Sequence, residues 1–205
     1  MNDTLDWYAA NAATFATAAD TVDLSALHTA FVARLPAGAR VLDVGCGSGR
    51  DSRAFVAMGC RVTALEPCEA LARIAEASLG FPVHRARVED LDERGVYDGV
   101  WACASLLHVP VTSTPEVLAR LARALAPGGV LYVSYKRGSG ERVEGGRFFH
   151  DETMASLGLR LGAAGFATVT CWETPDARPD QATTVWVNAL ASVERCFESP
   201  PMRRS

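Results

Sequence analysis

Gly45, Gly47 and Gly49 stand on alternate positions directly after an apolar run, Val41-Leu42-Asp43-Val44. The run suits a buried strand, and the glycines suit a tight turn that another group can approach closely. A helical pattern follows over residues 51–58. Strand, glycine turn and helix start together form a cradle of the nucleotide-binding kind, because the first N–H groups of a helix are free and carry positive partial charge. The spacing narrows the ligand. A dinucleotide fingerprint needs G-x-G-x-x-G, and Arg50 stands where its last glycine belongs. No Gly-Lys-Ser/Thr follows, which excludes a triphosphate loop. Asp43 at the strand end would repel a pyrophosphate and suits a ligand with a positive group there.

Further along the chain, Glu66 closes the next apolar run, followed by Pro67. A carboxylate about 20 residues past a glycine turn can accept both hydroxyls of a ribose. Arg87-Val88-Glu89-Asp90-Leu91 offers acids and backbone N–H groups to a base edge, although loop acids are more often simply solvated. His108 follows the fourth apolar run. It reads either as a general base, for which an unperturbed pKa of about 6.5 is suitable, or as a helix-start histidine bonded to backbone. Tyr135 and His150 stand behind it as alternatives. Lys136, Arg137, Arg142 and Arg147, with Phe148 and Phe149, form a basic and aromatic stretch that could clamp a planar anion. Its alternative reading is a solvated loop whose arginines pair with Glu141 and Glu144. Arg147 and Phe148 carry the functional reading. There is no G-x-S-x-G elbow and no H-E-x-x-H pair.

The elements that must position these residues alternate. Helical patterns at 5–19 and 23–35 come first, the first with Tyr8, Asn11 and Phe15 on one face. Tyr8 is the residue of that face whose hydroxyl needs a partner. Strands are expected at 41–44, 61–66, 82–87, 97–104, 130–135, 167–173 and 183–191. Helices are expected at 51–58, 68–79, 113–126, with a capping-box start, and 151–164, capped by Asp151. Residues 136–150 read as a long loop. Strands alternating with helices over short links indicate an α/β fold, a mostly parallel sheet covered on both faces. The polar link 175–181 is too short for a crossover, so the last two strands form an antiparallel hairpin. The expected architecture is a Rossmann-like seven-stranded sheet with a reversed last strand. It divides into a helical cap at 1–37, a core at 38–191 and a frayed tail at 192–205.

A chain of 205 residues with net charge −4 and 49% hydrophobic residues has the balance of one globular domain. It lacks the basic stripe with interleaved aromatics of a nucleic-acid binder. The first residues lack the pattern of a signal peptide, and no apolar run approaches the roughly 20 residues of a membrane span. The six cysteines include no C-x-x-C pair and no zinc spacing. A cytoplasmic location with reduced thiols is the expectation.

Asp43 with its glycines, Glu66, the Val88-Glu89 loop and residues 97–109 together resemble the class I S-adenosylmethionine-dependent methyltransferases, over about residues 38–191. Gly49-Arg50-Asp51-Ser52, Leu106-Leu107-His108-Val109 and Gly146-Arg147-Phe148-Phe149 look most like the small-molecule members. The resemblance implies that Gly45, Cys46 and Gly47 line the methionine part of S-adenosylmethionine, with Asp43 near its ammonium. It implies that Glu66 and Pro67 meet the ribose and that Val88 and Glu89 flank the adenine. Ala102, Cys103 and Ser105 would border the sulfonium. Arg50 would reach the carboxylate, or else lie on the surface. Many members have an acid where Arg87 stands, so the adenine contacts fall to Glu89, Asp90 or backbone. His108 is then the base, and Tyr8, Arg147 and Phe148 contact a small acceptor. Methylation of RNA or protein, and S-adenosylmethionine binding without catalysis, are the alternative functions. A nicotinamide oxidoreductase is disfavoured by Arg50.

Overall fold

The computed structural model describes residues 2–178, 181 and 183–194. The expected tail from Cys196 onward lies outside the described residues. Six strands form one sheet: β1 (Arg40–Val44), β2 (Arg61–Leu65), β3 (Tyr97–Ala102), β4 (Leu125–Lys136), β7 (Thr168–Pro175) and β8 (Val185–Ser192). Their order is β2-β1-β3-β4-β8-β7. β1, β2, β3 and β4 pair in parallel, and β8 runs antiparallel to both β4 and β7. The reversed last strand and its hairpin are as the short polar link requires. β5 (Gly140–Glu144) and β6 (Arg147–Asp151) form a separate two-stranded hairpin.

The sheet therefore has six strands, not seven. Segment 82–87 contributes one bridge, Leu65 with His84. Pro82 has no N–H to give a ladder, and the Val83 N–H goes instead to Glu76 Oε1 at 2.9 Å. Nor is 136–150 a long loop. β4 runs on to Lys136, and Gly145-Gly146 turns β5 into β6 with φ of +56° and +78°. Two successive residues at positive φ make the hairpin turn whose twist matches that of the strands.

Helices α1 (Asn2–Asp20), α2 (Ser25–Val32), α3 (Arg50–Ala57), α4 (Glu69–Leu79), α5 (Thr114–Ala124) and α6 (Met154–Ala163) surround the sheet. The cap of α6 is Thr153, which shares a capping box with Ser156. Asp151 lies in β6 and accepts from Arg142 instead. At the start of α5 the Ser113 side chain makes no capping bond, and Thr114 Oγ1 donates to the Pro110 carbonyl.

The parallel strands are apolar on both faces, and two core clusters result. Phe31, Phe55, Trp101 and Tyr132 fill one face, with Trp101 stacked on Tyr132 at 3.9 Å between ring centroids. Leu42, Val100, Leu118, Leu121, Leu131 and Leu157 belong to the other. Asp20, ending α1, accepts from Ser48 Oγ at 2.6 Å and from Arg53 Nη2 at 2.8 Å, which ties α1 to the glycine turn.

α2 lies close on β3 at Gly99, where a Cβ would stand 2.7 Å from Phe31 Cζ and 2.9 Å from Leu35 Cδ1. Gly99→Ala is expected to lower stability by about 1–3 kcal/mol through overpacking. Urea unfolding followed by tryptophan fluorescence checks this, and an unchanged midpoint would remove the close-approach argument.

Candidate active site

The strand order reverses between β1 and β3, and ligands of open α/β sheets bind outside the strand ends at such a point. A cavity of about 640 Å³ lies there, within the range of about 300–1,000 Å³ usual for small-ligand sites. One wall is the glycine turn. Gly45 has φ +69°, and a Cβ on it would come within 2.7 Å of Ser105 Cβ. The turn after β3 thus approaches the turn after β1 as closely as backbone permits. Ala104, in that second turn, is held at φ +50°, a conformation uncommon for a residue with a side chain.

Glu66 is 5% exposed and lines the cavity. Its Oε2 accepts from Gly47 N–H at 2.9 Å and its Oε1 from Cys68 N–H at 2.8 Å. Burial raises its pKa, and these two donors oppose the rise. Each carboxylate oxygen has a further lone pair available, so Glu66 can also accept from a pair of ribose hydroxyls.

Arg50 lines the cavity, but a neighbour takes its charge. Asp51 accepts from Arg50 Nε at 2.7 Å and Nη2 at 2.9 Å, while Nη1 reaches the Ala19 carbonyl at 3.1 Å. Asp51 also accepts from His28 Nε2 and Trp101 Nε1, each at 2.9 Å. Burial alone would raise the Asp51 pKa. The donors from His28 and Arg50 overcome it and hold the group below the usual carboxylate range. His28 is thus part of a buried support. Asp43 does not line the cavity. Its Oδ2 accepts from Ser52 Oγ at 2.6 Å under the first turn of α3. Burial and the nearby Asp51 charge raise its pKa.

Among the other expected cofactor contacts, Gly45, Cys46, Gly47, Pro67, Val88, Glu89, Cys103 and Ser105 line the cavity. Ala102 lies behind it, fully buried in β3. Burial pushes the Cys103 thiol up to about 12, so it is a neutral wall group. Ser105 Oγ is buried without a hydrogen-bond partner, a donor and acceptor left for a ligand.

The far end of the cavity is closed by α1 and the β5–β6 hairpin. Tyr8 Oη lies 2.9 Å from His108 Nε2, and His108 Nδ1 lies 2.6 Å from the Phe148 carbonyl. The carbonyl can only accept, so Nδ1 carries the proton and Nε2 accepts from Tyr8. His108 is bonded to backbone through Nδ1, and it also lines the cavity. Burial lowers its pKa to about 4, with the positive charges of Arg147 and Lys136 adding to the fall. Burial raises the Tyr8 pKa.

Arg147 lines the cavity as well. Phe148 does not; its N–H donates to Thr4 Oγ1 at 2.9 Å, and the next residue, Phe149, faces inward. Tyr135 and His150 are buried away from the cavity, the latter against Glu152 at 3.0 Å. Sequence reasoning did not find the β7–β8 wall, where Thr174, Asp176, Trp186 and Asn188 line the cavity. Asn188 was the available signal, a polar residue inside an apolar strand. It accepts from Tyr132 Oη at 2.7 Å.

A switch-point cavity with a glycine turn and a strand-end acid is the arrangement with which open α/β sheets bind nucleosides. A model described as a methyltransferase domain matches residues 16–170. Ubiquinone biosynthesis O-methyltransferase from Xanthomonas oryzae pv. oryzae (strain PXO99A) is 38% identical over 105 residues, covering 48% of this chain and 43% of the relative. The matched stretch is therefore less than half the length of that relative. Among solved structures, Burkholderia thailandensis 1,6-didemethyltoxoflavin-N1-methyltransferase, with bound 1,6-didemethyltoxoflavin and S-adenosylhomocysteine, superposes with a TM-score of 0.72. It is 26% identical, and the match covers 83% of this chain and 78% of that one. The cyclase SpnF shares the fold, with a TM-score of 0.67 at 19% identity and coverage of 83% of this chain and 81% of that one. The chain belongs to the methyltransferase-domain family and has the class I S-adenosylmethionine-dependent methyltransferase fold.

The depressed His108 pKa has a consequence for stability. Between about 4 and 6.5 the unfolded chain binds the proton and the folded chain does not. Stability should therefore fall as pH drops through that window. Nitrogen-15 NMR should find the imidazole neutral at pH 5.5, and His108→Gln should flatten the acid limb of the stability profile. An imidazole that titrates near 6.5 would contradict the buried geometry.

Proposed function

We propose that this protein is a cytoplasmic enzyme that transfers a methyl group from S-adenosylmethionine to a small molecule. The carrying observation is one cavity that joins the Glu66–glycine-turn wall to the Tyr8–His108 pair. The cap at 1–37 and the core at 38–191 act as one methyltransferase domain in this reading. Thr4, Tyr8, His108 and Phe148 bind the cap to the hairpin across the cavity, which favours a small acceptor over RNA or protein. Unpaired thiols at Cys46, Cys60, Cys68, Cys103 and Cys171 support a reducing compartment. Among the described residues no helix is long and apolar enough to cross a membrane.

When bound, the cofactor supplies a methyl group on a positively charged sulfur, which leaves neutral and needs no acid. Glu66 would hold the ribose hydroxyls, Pro67 would border them, and Val88 and Glu89 would flank the adenine. The Gly45–Gly47 turn would line the amino-acid tail, and Arg50, already paired with Asp51, would face its carboxylate from the cavity wall. Asp43 acts on the tail's ammonium through the turn rather than by contact. Cys103 and Ser105 border the transfer path, with Ala102 backing them. Holding the acceptor in line with the methyl carbon can supply roughly 7–11 kcal/mol.

Tyr8 and His108 handle the proton. An acceptor hydroxyl or amine donates to Tyr8 Oη while the tyrosine proton passes to His108 Nε2. The Phe148 carbonyl stabilises the imidazolium through Nδ1. A histidine this weakly basic takes the proton late, as the new bond to carbon makes the acceptor acidic. His108→Ala is expected to lower kcat about 100-fold, the low end for general-base loss. Glu66→Ala is expected to weaken cofactor binding by about 10- to 100-fold, from losing charge-assisted hydrogen bonds. Calorimetry with S-adenosylhomocysteine reads the second. A screen of phenols, amines, thiols and acids for S-adenosylhomocysteine release reads the first. Absence of cofactor binding by the unaltered protein would sink the proposal.

A further inference from the structure

The cations around the hairpin fall into two groups. Arg137 pairs with Glu173 at 3.4 Å, and Arg142 is held by Asp151 at 2.7 Å and by Glu144 at 2.5 Å. These are balanced and face an outer polar depression of about 730 Å³. Lys136 and Arg147 line both that depression and the main cavity, and they are held differently. Among the described residues Arg147 has no carboxylate within ion-pairing distance. Rings surround it instead, with centroids 4.1 Å away at Trp7, 5.1 Å at Phe149 and 5.9 Å at Tyr8. Aromatic faces attract and orient a guanidinium but leave its charge in place.

Two further observations point to a missing acceptor. Arg147 Nε is buried without a hydrogen-bond partner, and a buried donor left unpaired is costly. Lys136 Nζ lies 4.4 Å from the centroid of the same Phe149 ring, and its nearest carboxylate is Glu144, 3.9 Å away and already bonded to Arg142. Burial, reinforced by Arg142, pushes the Lys136 ammonium below its ordinary range, as expected when a cation lacks a full counter-charge. Lys136, Arg142 and Arg147 against Glu144 and Asp151 leave one positive charge at the cavity wall.

We propose that Lys136 and Arg147 form a subsite for one carboxylate, and hence that the methyl acceptor is a small organic acid. The proposal rests on reading the cavity as a methyltransferase site. The unpaired Nε–H is one prong of the side-on fork by which a guanidinium engages a planar carboxylate. A single surplus charge matches a monoanion better than a phosphate dianion. A carboxylate whose oxygens are bonded to Arg147 and Lys136 is a poor nucleophile, so the methyl group goes to another atom of the acid. Arg147 lies against Tyr8, and Tyr8 bonds His108, so the bound acid sits beside the pair that takes its proton.

Calorimetry on the S-adenosylhomocysteine-saturated protein tests this with benzoate, its uncharged counterpart benzamide, and inorganic phosphate. Benzoate should bind at least about tenfold tighter than benzamide, as expected for a charge-assisted contact. Lys136→Met and Arg147→Met should each erase most of that preference, with S-adenosylhomocysteine affinity within about twofold of the unaltered protein. Arg147→Lys should restore part of it. Equal binding of benzoate and benzamide, no benzoate binding at millimolar concentration, a preference that survives both methionine substitutions, or tighter binding of phosphate would each overturn the subsite. Failure to bind S-adenosylhomocysteine would instead remove the methyltransferase reading, and the benzoate series would still be read on the protein alone.

Discussion

The Glu66 carboxylate joins two loops that the sheet brings together but does not itself connect. β1 and β2 pair in parallel as far as Val44 and Leu65. Past that point, Gly47 and Cys68 both donate to Glu66, and the Leu65 carbonyl accepts from Gly45 N–H at 2.7 Å and Cys46 N–H at 3.0 Å. A carboxylate this buried is stable only with such donors, and hydrogen bonds to a charged acceptor contribute about 1.5–3 kcal/mol each. The same bonds that satisfy Glu66 fix the turn. The lone pairs not used by the backbone are thereby held still at the cavity wall, which is what recognition of paired hydroxyls requires.

Charge is laid out unevenly around this fixed wall. Beneath the turn, Asp51 collects donors from Arg50, His28 and Trp101, and Asp43 beside it accepts from the Ser52 hydroxyl. Two acids this close push against each other's ionisation, so the pair settles with Asp51 as the ionised member and Asp43 as the more readily protonated one. Beneath the turn, the Arg50 charge is thus matched by that of Asp51. At the opposite end Arg147 has rings and no carboxylate among the described residues, and Lys136 shares Glu144 with Arg142. The difference between the two ends has a physical basis in which cations were given acids and which were given rings.

What could be read from the sequence follows the range of the interactions. The glycine turn and Glu66 were legible because consecutive residues dictate their chemistry: positive φ at Gly45, an acid closing the next strand. The reversed final hairpin was legible from the length of its link. The third strand was not, because alternation at 82–87 says nothing about Val83 giving its N–H to Glu76. The Gly145-Gly146 turn was present in the sequence, but the charged residues on either side disguised two short strands as a loop. Choosing Phe148 over Phe149 was a matter of strand register, since successive side chains point to opposite faces. The strand-end position of Asp43 reads as a ligand contact, but the Ser52 hydroxyl, in the first turn of α3, draws it aside.

Likeness to known proteins bears on the two halves of the cavity unequally. The matched domain begins at residue 16, after Thr4, Trp7 and Tyr8. SpnF, a cyclase, has the same fold, so the fold alone does not specify what is done beside the cofactor wall. Besides the β7–β8 wall, the end of the cavity away from Glu66 is built from three separate pieces: α1, the turn after β3 that carries His108, and the stretch from the end of β4 through β6. They meet through few bonds, Thr4 to Phe148, Tyr8 to His108 and His108 to Phe148. None of these residues supports the glycine turn or Glu66. These four residues can therefore vary with the acceptor, in the proposed reading, while the bonds that fix Glu66 to Gly47 and Cys68 stay as they are.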